Sequence, residues 1–274
     1  MIFSETESEL QKKWQNLVRF LESRPRALVA FSGGVDSSFL LKAAVLPPSN
    51  MVLAVIADSA SLPRRELEEA TAFLKEHSIN YRIINVFEQK NQDYQKNNTN
   101  RCYFCKTELY TALGQLKDEL QYDYIFDGTN KDDLSGHRPG HKAASELQVI
   151  SPLVEAELKK DEIRKLSLKL GLNTHDKPAM ACLASRIPYG TEVTEKRLTQ
   201  VEKAEDFLIS LGFKQVRVRY HEQGQLARIE LDEVEISRAF EKSNRQAITA
   251  KFSELGFKWS SIDLSGYQTG SLNS

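Results

Sequence analysis

Two groups of residues in this 274-residue chain have the types and spacing to do chemistry. The first is Ser32-Gly33-Gly34-Val35-Asp36-Ser37, with Ser38 behind it. It follows the continuous apolar run Ala27 to Phe31, the pattern of a strand buried on both faces, and precedes a helical stretch to Ala44. Gly33 and Gly34 let the backbone turn sharply and approach a ligand closely. Their N–H groups and the helix N-terminus offer donors and a positive dipole end to an anion. Ser32, Ser37 and Ser38 add hydroxyls. Asp36 would repel a bare phosphate, so its role is to hold a magnesium ion that bridges phosphates. The lysine of GxxxxGK[ST] is missing, so this is not that phosphate loop. A serine-capped helix is the plainer reading; the strand before and the D-S-S after favour a nucleotide, ATP.

The second group is Cys102-x-x-Cys105, with Cys182 far downstream. Three unrelated core thiols would be ordinary, since free cysteine is often buried. Polar flanks at Cys102 and prolines around Cys182 argue against that. Three thiolates suit zinc only with a fourth ligand, for which His137 and His141 are candidates. They also suit a [4Fe–4S] cluster, which normally takes four cysteines and here would leave one iron open.

The elements that must position these residues alternate. A helix is expected over 9–23, then strands at 27–31, 51–57, 81–86 and 122–126, with helices at 36–44 and 63–77. That pattern predicts an α/β fold, a doubly wound parallel sheet. Ligands bind such sheets at the carboxyl ends of the strands. The loops after Phe31, after Ala57 (Ala57-Asp58-Ser59) and after Phe126 (Asp127-Gly128-Thr129) should therefore face one site. Three stretches, 91–106, 135–152 and 176–190, read as irregular connections. Beyond Gly190 the pattern changes: a helix over 195–211 ended by Gly212, strands at 216–220 and 226–231, one helix over 233–255 and a strand at 259–264. LGFK occurs twice, at Leu211 and Leu255, each time between a helix and a strand. The expected division is a nucleotide domain over 1–190 and a smaller C-terminal α+β domain over 191–274.

The formal net charge is −1, which argues against nucleic acid as the main partner. No apolar run reaches the length needed to span a bilayer, and the polar start MIFSETESELQKKWQ does not read as a secretory signal. The cytoplasm is the expected location, with no membrane partner.

SGGVDS resembles the loop of the PP-loop ATP pyrophosphatases, which include GMP synthetase, NAD synthetase, asparagine synthetase and tRNA-thiolating enzymes. The resemblance implies that a substrate oxygen takes AMP from ATP and pyrophosphate leaves, with Ala57, Asp58, Ser59 and Gly128 lining the nucleotide pocket. DGTNKDDLSGHRPGHKAASE (127–146), CLASRIPYG (182–190) and VRVRYH…ARIEL narrow it further. Across about residues 10 to 270 the chain resembles the LarE family of ATP-dependent sulfur transferases, which serve nickel-pincer cofactor synthesis.

That resemblance implies a pyridinium mononucleotide substrate whose carboxylate is adenylylated and then attacked by sulfur. In one branch of the family the cysteine matching Cys182 is sacrificed and becomes dehydroalanine. Cys102 and Cys105 instead match the branch in which three cysteines hold a [4Fe–4S] cluster. Ser185 and Arg186 match a phosphate-binding pair; a surface ion pair is the plainer role of Arg186. Glu205 matches a magnesium-contacting position; a solvated helix face is its plainer role. Arg217 and Arg219, two apart on a strand, share a face and suit a substrate phosphate. A homo-oligomer, a hexamer, is implied. A tRNA thiolase of the same superfamily and a non-catalytic AMP-binding redox regulator are the rival readings.

Overall fold

A computed structural model describes residues 5–135, 139–179 and 181–268; His137 lies outside them, as do Arg138 of the RPG motif and Met180. The elements run α1 Glu5–Glu22, β1 Arg26–Ala30, α2 Val35–Ala44, β2 Met51–Asp58, α3 Arg64–Glu76, β3 Tyr81–Asn85, α4 Gln92–Gln95, α5 Arg101–Glu119 and β4 Tyr124–Phe126. They continue with α6 Pro139–Glu146, α7 Pro152–Glu155, α8 Lys160–Lys169, α9 Glu195–Ser210, β5 Val216–His221, β6 Leu226–Leu231, α10 Ile236–Ala239, α11 Lys242–Glu254 and β7 Trp259–Ile262. They form two units: Met1–Glu88 with Cys102–Met180, and Gln89–Arg101 with Ala181–Ser274.

In the first unit the strands pair in the order β3-β2-β1-β4, and every pairing is parallel. Successive side chains of a strand point to opposite faces, and β1 shows what that requires here. Ala27 and Val29 join Leu17, Leu21, Phe39, Leu41 and Phe73 in a core on one face. Leu28 joins Tyr110, Leu113 and Leu116 of α5 and Ala143 of α6 on the other. Both faces are covered, as the apolar run of β1 demands and as the expected doubly wound architecture requires. All four strands being parallel, the loops after β1, β2 and β4 leave the same edge of the sheet.

Three expectations are corrected. The stretch 91–106 is not one irregular connection: it holds α4 and the start of α5, so Cys102 and Cys105 lie one turn apart on a helix. Tyr110, Leu113 and Leu116, at helical spacing, bury the stripe that holds α5 in place. Nor does one helix run from Glu233 to Leu255. Extended backbone at Glu241 (φ −58°, ψ 141°) separates α10 from α11. Within 135–152, likewise read as irregular, lies α6.

The second unit holds a three-stranded sheet in the order β5-β6-β7, antiparallel then parallel. Leu198, Val201, Ala204 and Leu208 make the buried stripe of α9, which packs on β5. Both copies of LGFK turn a helix into a strand through a glycine at positive φ, Gly212 at 87° and Gly256 at 94°. No helix among the described residues is long and apolar enough to cross a membrane.

Candidate functional site

The SGGVDS loop is built by its own hydroxyls. The Ser37 hydroxyl donates to the Gly34 carbonyl at 3.2 Å and lies 3.1 Å from the Ser32 Oγ, while the Ser32 amide donates to it at 3.3 Å. Gly33 takes φ +72°, and a β-carbon there would also meet Ala70 Cβ at 3.0 Å. The loop thus closes tightly at the start of α2 and leaves that helix N-terminus open. Ser38 is fully buried, its hydroxyl without a hydrogen-bond partner.

Two lysines that the sequence reading does not single out stand at this loop. Lys160, in the first turn of α8, donates to Asp36 Oδ2 at 2.5 Å. Lys177 donates to the Gly33 carbonyl at 3.3 Å and to Glu66 and Glu69 of α3 at 2.9 and 2.8 Å. Arg164 grips the backbone carbonyls of His175 and Lys177, which fixes that segment. Two ammonium groups from distant parts of the sequence therefore stand at the loop. The signal for Lys160 was its position: the helix dipole disfavours a cation in a first turn.

At the end of β4, buried Asp127 accepts hydrogen bonds from Tyr110, Thr129 and Ser151. This presses Gly128 onto the loop, where a β-carbon would stand 2.9 Å from the Ser37 amide nitrogen. Beside the Asp127 carboxylate, the Tyr110 phenol is pushed well above its usual range by burial first and by that charge second. At the end of β2, Arg64 holds the Asp58-Ser59 turn, donating to Asp58 Oδ1 at 2.6 Å and to the Ser59 and Leu62 carbonyls at 2.8 Å.

Cys102 is exposed and Cys105 half-buried on α5, and Cys182 is exposed, so the reading of three core thiols does not hold. Cys182 opens a 3-10 turn over Leu183–Arg186, where its carbonyl accepts from Arg186 at 2.9 Å. Among the described residues no three His, Cys, Asp or Glu side chains gather to hold a metal ion.

In the second unit a knot missed at the sequence level fixes the 182–191 loop. The Asn97 side-chain amide donates to the carbonyls of Ile187, Pro188 and Thr191 at 3.2, 2.8 and 2.8 Å. Buried Arg101 bonds both the Asn97 side chain and the Ala184 carbonyl.

This unit brings five expected site residues together. Arg186 and Glu205, both buried, form a two-pronged pair at 2.9 and 3.0 Å, and the Val218 amide also donates to Glu205. Arg186 is thus no surface ion pair, and Glu205 no solvated helix face. Burial opposes the Arg186 charge, but Glu205 outweighs it and the guanidinium holds its proton more tightly than usual. Arg219 donates to the Ser185 carbonyl at 3.1 Å and to Glu230 at 2.8 Å. Arg228 joins Glu230 to Asp263. Arg217 has no carboxylate within ion-pair distance among the described residues and lies over the Tyr267 ring at 5.2 Å. Burial, then repulsion from Arg186, lowers its pKa. Its neighbours Arg186 and Arg219 are each paired with a glutamate.

A parallel doubly wound sheet with SGGVDS between its first strand and helix is the arrangement of the PP-loop class of ATP-using enzymes. A glutamine-hydrolyzing GMP synthase of Thermus thermophilus is 30% identical over 217 residues, 71% of this chain and 42% of that protein. The similarity is far more extensive to the pyridinium-3,5-bisthiocarboxylic acid mononucleotide synthase of Lactiplantibacillus plantarum: 37% identity over 267 residues, 96% of this chain and 95% of that one. The chain belongs to the family of that synthase, the LarE family of ATP-dependent sulfur transferases. It is also 42% identical over 264 residues to the uncharacterized protein slr1717 of Synechocystis, 96% and 98% of the two chains. No protein-family profile matches the chain.

Proposed function

We propose that this enzyme adenylylates a carboxylate of a pyridinium mononucleotide with ATP and replaces the AMP by sulfur, giving a thiocarboxylate. One observation carries the reading: near full-length identity of 37% to a synthase whose name specifies a pyridinium bisthiocarboxylic acid mononucleotide. In the first step a carboxylate oxygen attacks the α-phosphorus, the α–β bridge breaks and pyrophosphate leaves. In the second, sulfide adds to the acyl carbon and AMP leaves with its bonding electron pair, so no redox partner is needed.

The chain's groups suit these roles. The N-terminus of α2, which no side chain caps, and the hydroxyls of Ser32 and Ser37 hold phosphate oxygens, with Ser38 buried behind them. Ala57, Asp58, Ser59 and Gly128, on the same sheet edge, border the nucleotide. The Asp36 Oδ1 atom, buried and without a partner, fits a magnesium ion. Glu205 can share in metal binding only by loosening Arg186, since both its oxygens are engaged. Arg217, with Arg186, Ser185 and Arg219, takes the substrate phosphate.

By the family resemblance, Cys102, Cys105 and Cys182 would supply the thiolates for a [4Fe–4S] cluster, although they are not gathered as a metal site among the described residues. Such a cluster, held by three cysteines in place of the usual four, would have one iron available to bind the sulfide. The cytoplasm suits such thiols, and a homo-oligomer, a hexamer by family resemblance, is the proposed assembly.

The test is anaerobic incubation with ATP, magnesium and the carboxylated pyridinium mononucleotide, followed by mass spectrometry of product and protein. A thiocarboxylate product with intact Cys182 is expected. Loss of hydrogen sulfide from Cys182 would move the sulfur source to that residue, and absence of pyrophosphate release would overturn the reading.

A further inference from the structure

We infer that Lys160 is a place-holding cation: its ammonium neutralises Asp36 in the ligand-free enzyme, yields that carboxylate to the divalent ion, and carries its charge to the ATP phosphates. The inference rests on the reading of Asp36 as a magnesium ligand and goes beyond it. The ammonium lies 2.5 Å from Asp36 Oδ2, while Asp36 Oδ1 is buried and has no partner. One carboxylate therefore has one oxygen held by a movable cation and one oxygen waiting. A buried, unmatched acceptor is costly, and a metal ion approaching both oxygens would satisfy it.

Three further observations point the same way. Lys160 stands in the first turn of α8, where a positive charge opposes the helix dipole. Asp161 and Glu162, which follow it, are what that dipole prefers. A cation there has a reason outside the helix. Its backbone, moreover, is rigidly mounted. The Lys160 amide donates to Asp132 at 2.8 Å, the Lys131 amide to the Leu158 carbonyl at 2.9 Å, and the Lys159 amide to Glu162 at 2.8 Å. Only the four-carbon stem is left to swing, and 31% of the side chain is exposed.

Lys177 makes the contrast. It is held by Gly33, Glu66 and Glu69 together, the arrangement of an anchor. Lys160 has one oxygen to leave. Exchange of its partner keeps the site near neutrality at each stage: ammonium on carboxylate before binding, then metal on carboxylate and phosphate, with the ammonium on phosphate. That last contact supplies the charge that a phosphate-loop lysine supplies elsewhere.

The test measures binding of Mn2+ by the electron paramagnetic resonance of the free ion, with and without α,β-methylene-ATP. It compares wild type, K160M, D36N, the double variant and the exposed-lysine control K165M. Without nucleotide, K160M should bind Mn2+ about fivefold more tightly than wild type, because a competing cation is gone. The gain should vanish in K160M/D36N and be absent in K165M. With substrates, pyrophosphate release by K160M should fall about a hundredfold. Thermal melting of each variant shows that it is folded. If D36N leaves Mn2+ binding with the ATP analogue unchanged, the magnesium reading of Asp36 is wrong and this inference falls with it. If that binding needs Asp36 but K160M gains no nucleotide-free affinity, the place-holding role alone is overturned.

Discussion

Gly128 and the Ser37 amide stand so close that no side chain fits between them. A β-carbon on Gly128 would lie 2.9 Å from the Ser37 nitrogen and 3.1 Å from its Cα. Those neighbours are backbone, which cannot rotate aside, so Gly128→Ala must displace the start of α2. Displacements of an ångström in a positioned site cost about a hundredfold in rate, and pyrophosphate release should fall by that order. Gly114, inside α5 with nothing within 4 Å of its position, is the control: Gly114→Ala should leave turnover intact and stabilise the helix by about 0.5–1 kcal/mol.

The Arg186–Glu205 pair makes a stability prediction. Both side chains are buried, 3% and 8% exposed. Removing one partner leaves an uncompensated charge inside the protein, a loss of about 3–5 kcal/mol. Glu205→Ala should unfold the second unit at much lower urea concentration. Trp259 on β7 reports it once Trp14, the other tryptophan, is replaced by Phe. Glu205→Gln, which keeps an acceptor, should lose less.

That pair also shows where sequence reading stops. The strands β1 and β2 were legible because continuous apolar runs between turn residues need burial, and β3, a half-exposed edge strand, by its place in the alternation of strands and helices. SGGVDS was legible because all its parts are adjacent. Glu205 lies 19 positions from Arg186, and nothing in its flanking sequence distinguishes a buried ion-pair carboxylate from a solvated helix face. Helix α5 was missed because its first turn, Arg101 to Lys106, is polar and aromatic and masks the stripe of Tyr110, Leu113 and Leu116. Lys160 and Lys177 reach the phosphate loop only through the fold.

Asn97 is the strained member of the knot on the 182–191 loop. Its φ is +54°, a region asparagine tolerates and alanine does not, and its side chain satisfies three carbonyls. Asn97→Ala loses both the hydrogen bonds and the tolerated backbone, a destabilisation of about 2–4 kcal/mol. Asn97→Gly loses only the hydrogen bonds and should recover about 1 kcal/mol of that. Equal melting temperatures for the two variants would show that the backbone conformation carries no strain.

The proposed cluster is open to direct analysis. Protein purified without oxygen should contain iron and acid-labile sulfide, and Cys102→Ala should lose both while remaining folded. Colourless protein carrying stoichiometric zinc would overturn the cluster assignment. Purification with a chelator at neutral pH separates tightly held metal from ions picked up by the exposed thiols.

His221 gives the second unit a pH dependence with a definite sign. It sits at the end of β5, with Nε2 buried and unpartnered. Burial first, then Arg228 and Arg219, lower its pKa, against weaker opposing pulls from Glu230 and Glu222. The unfolded chain therefore binds the proton more readily than the folded one, and stability rises with pH where only the unfolded state is protonated. The His221 contribution is fully present above the ordinary histidine value of about 6.5. It is lost as pH falls below that value, the loss being complete once the pH is under the folded pKa. In the Trp14→Phe background, urea midpoints read by Trp259 should fall between pH 7.5 and pH 5. His221→Gln should flatten the part of that fall due to this residue. His77 is also held low, by burial and then Lys42, but it belongs to the first unit. A decline seen by circular dichroism and not by Trp259 would locate the effect there. An unchanged slope in His221→Gln would mean that folding does not lower the proton affinity of this histidine.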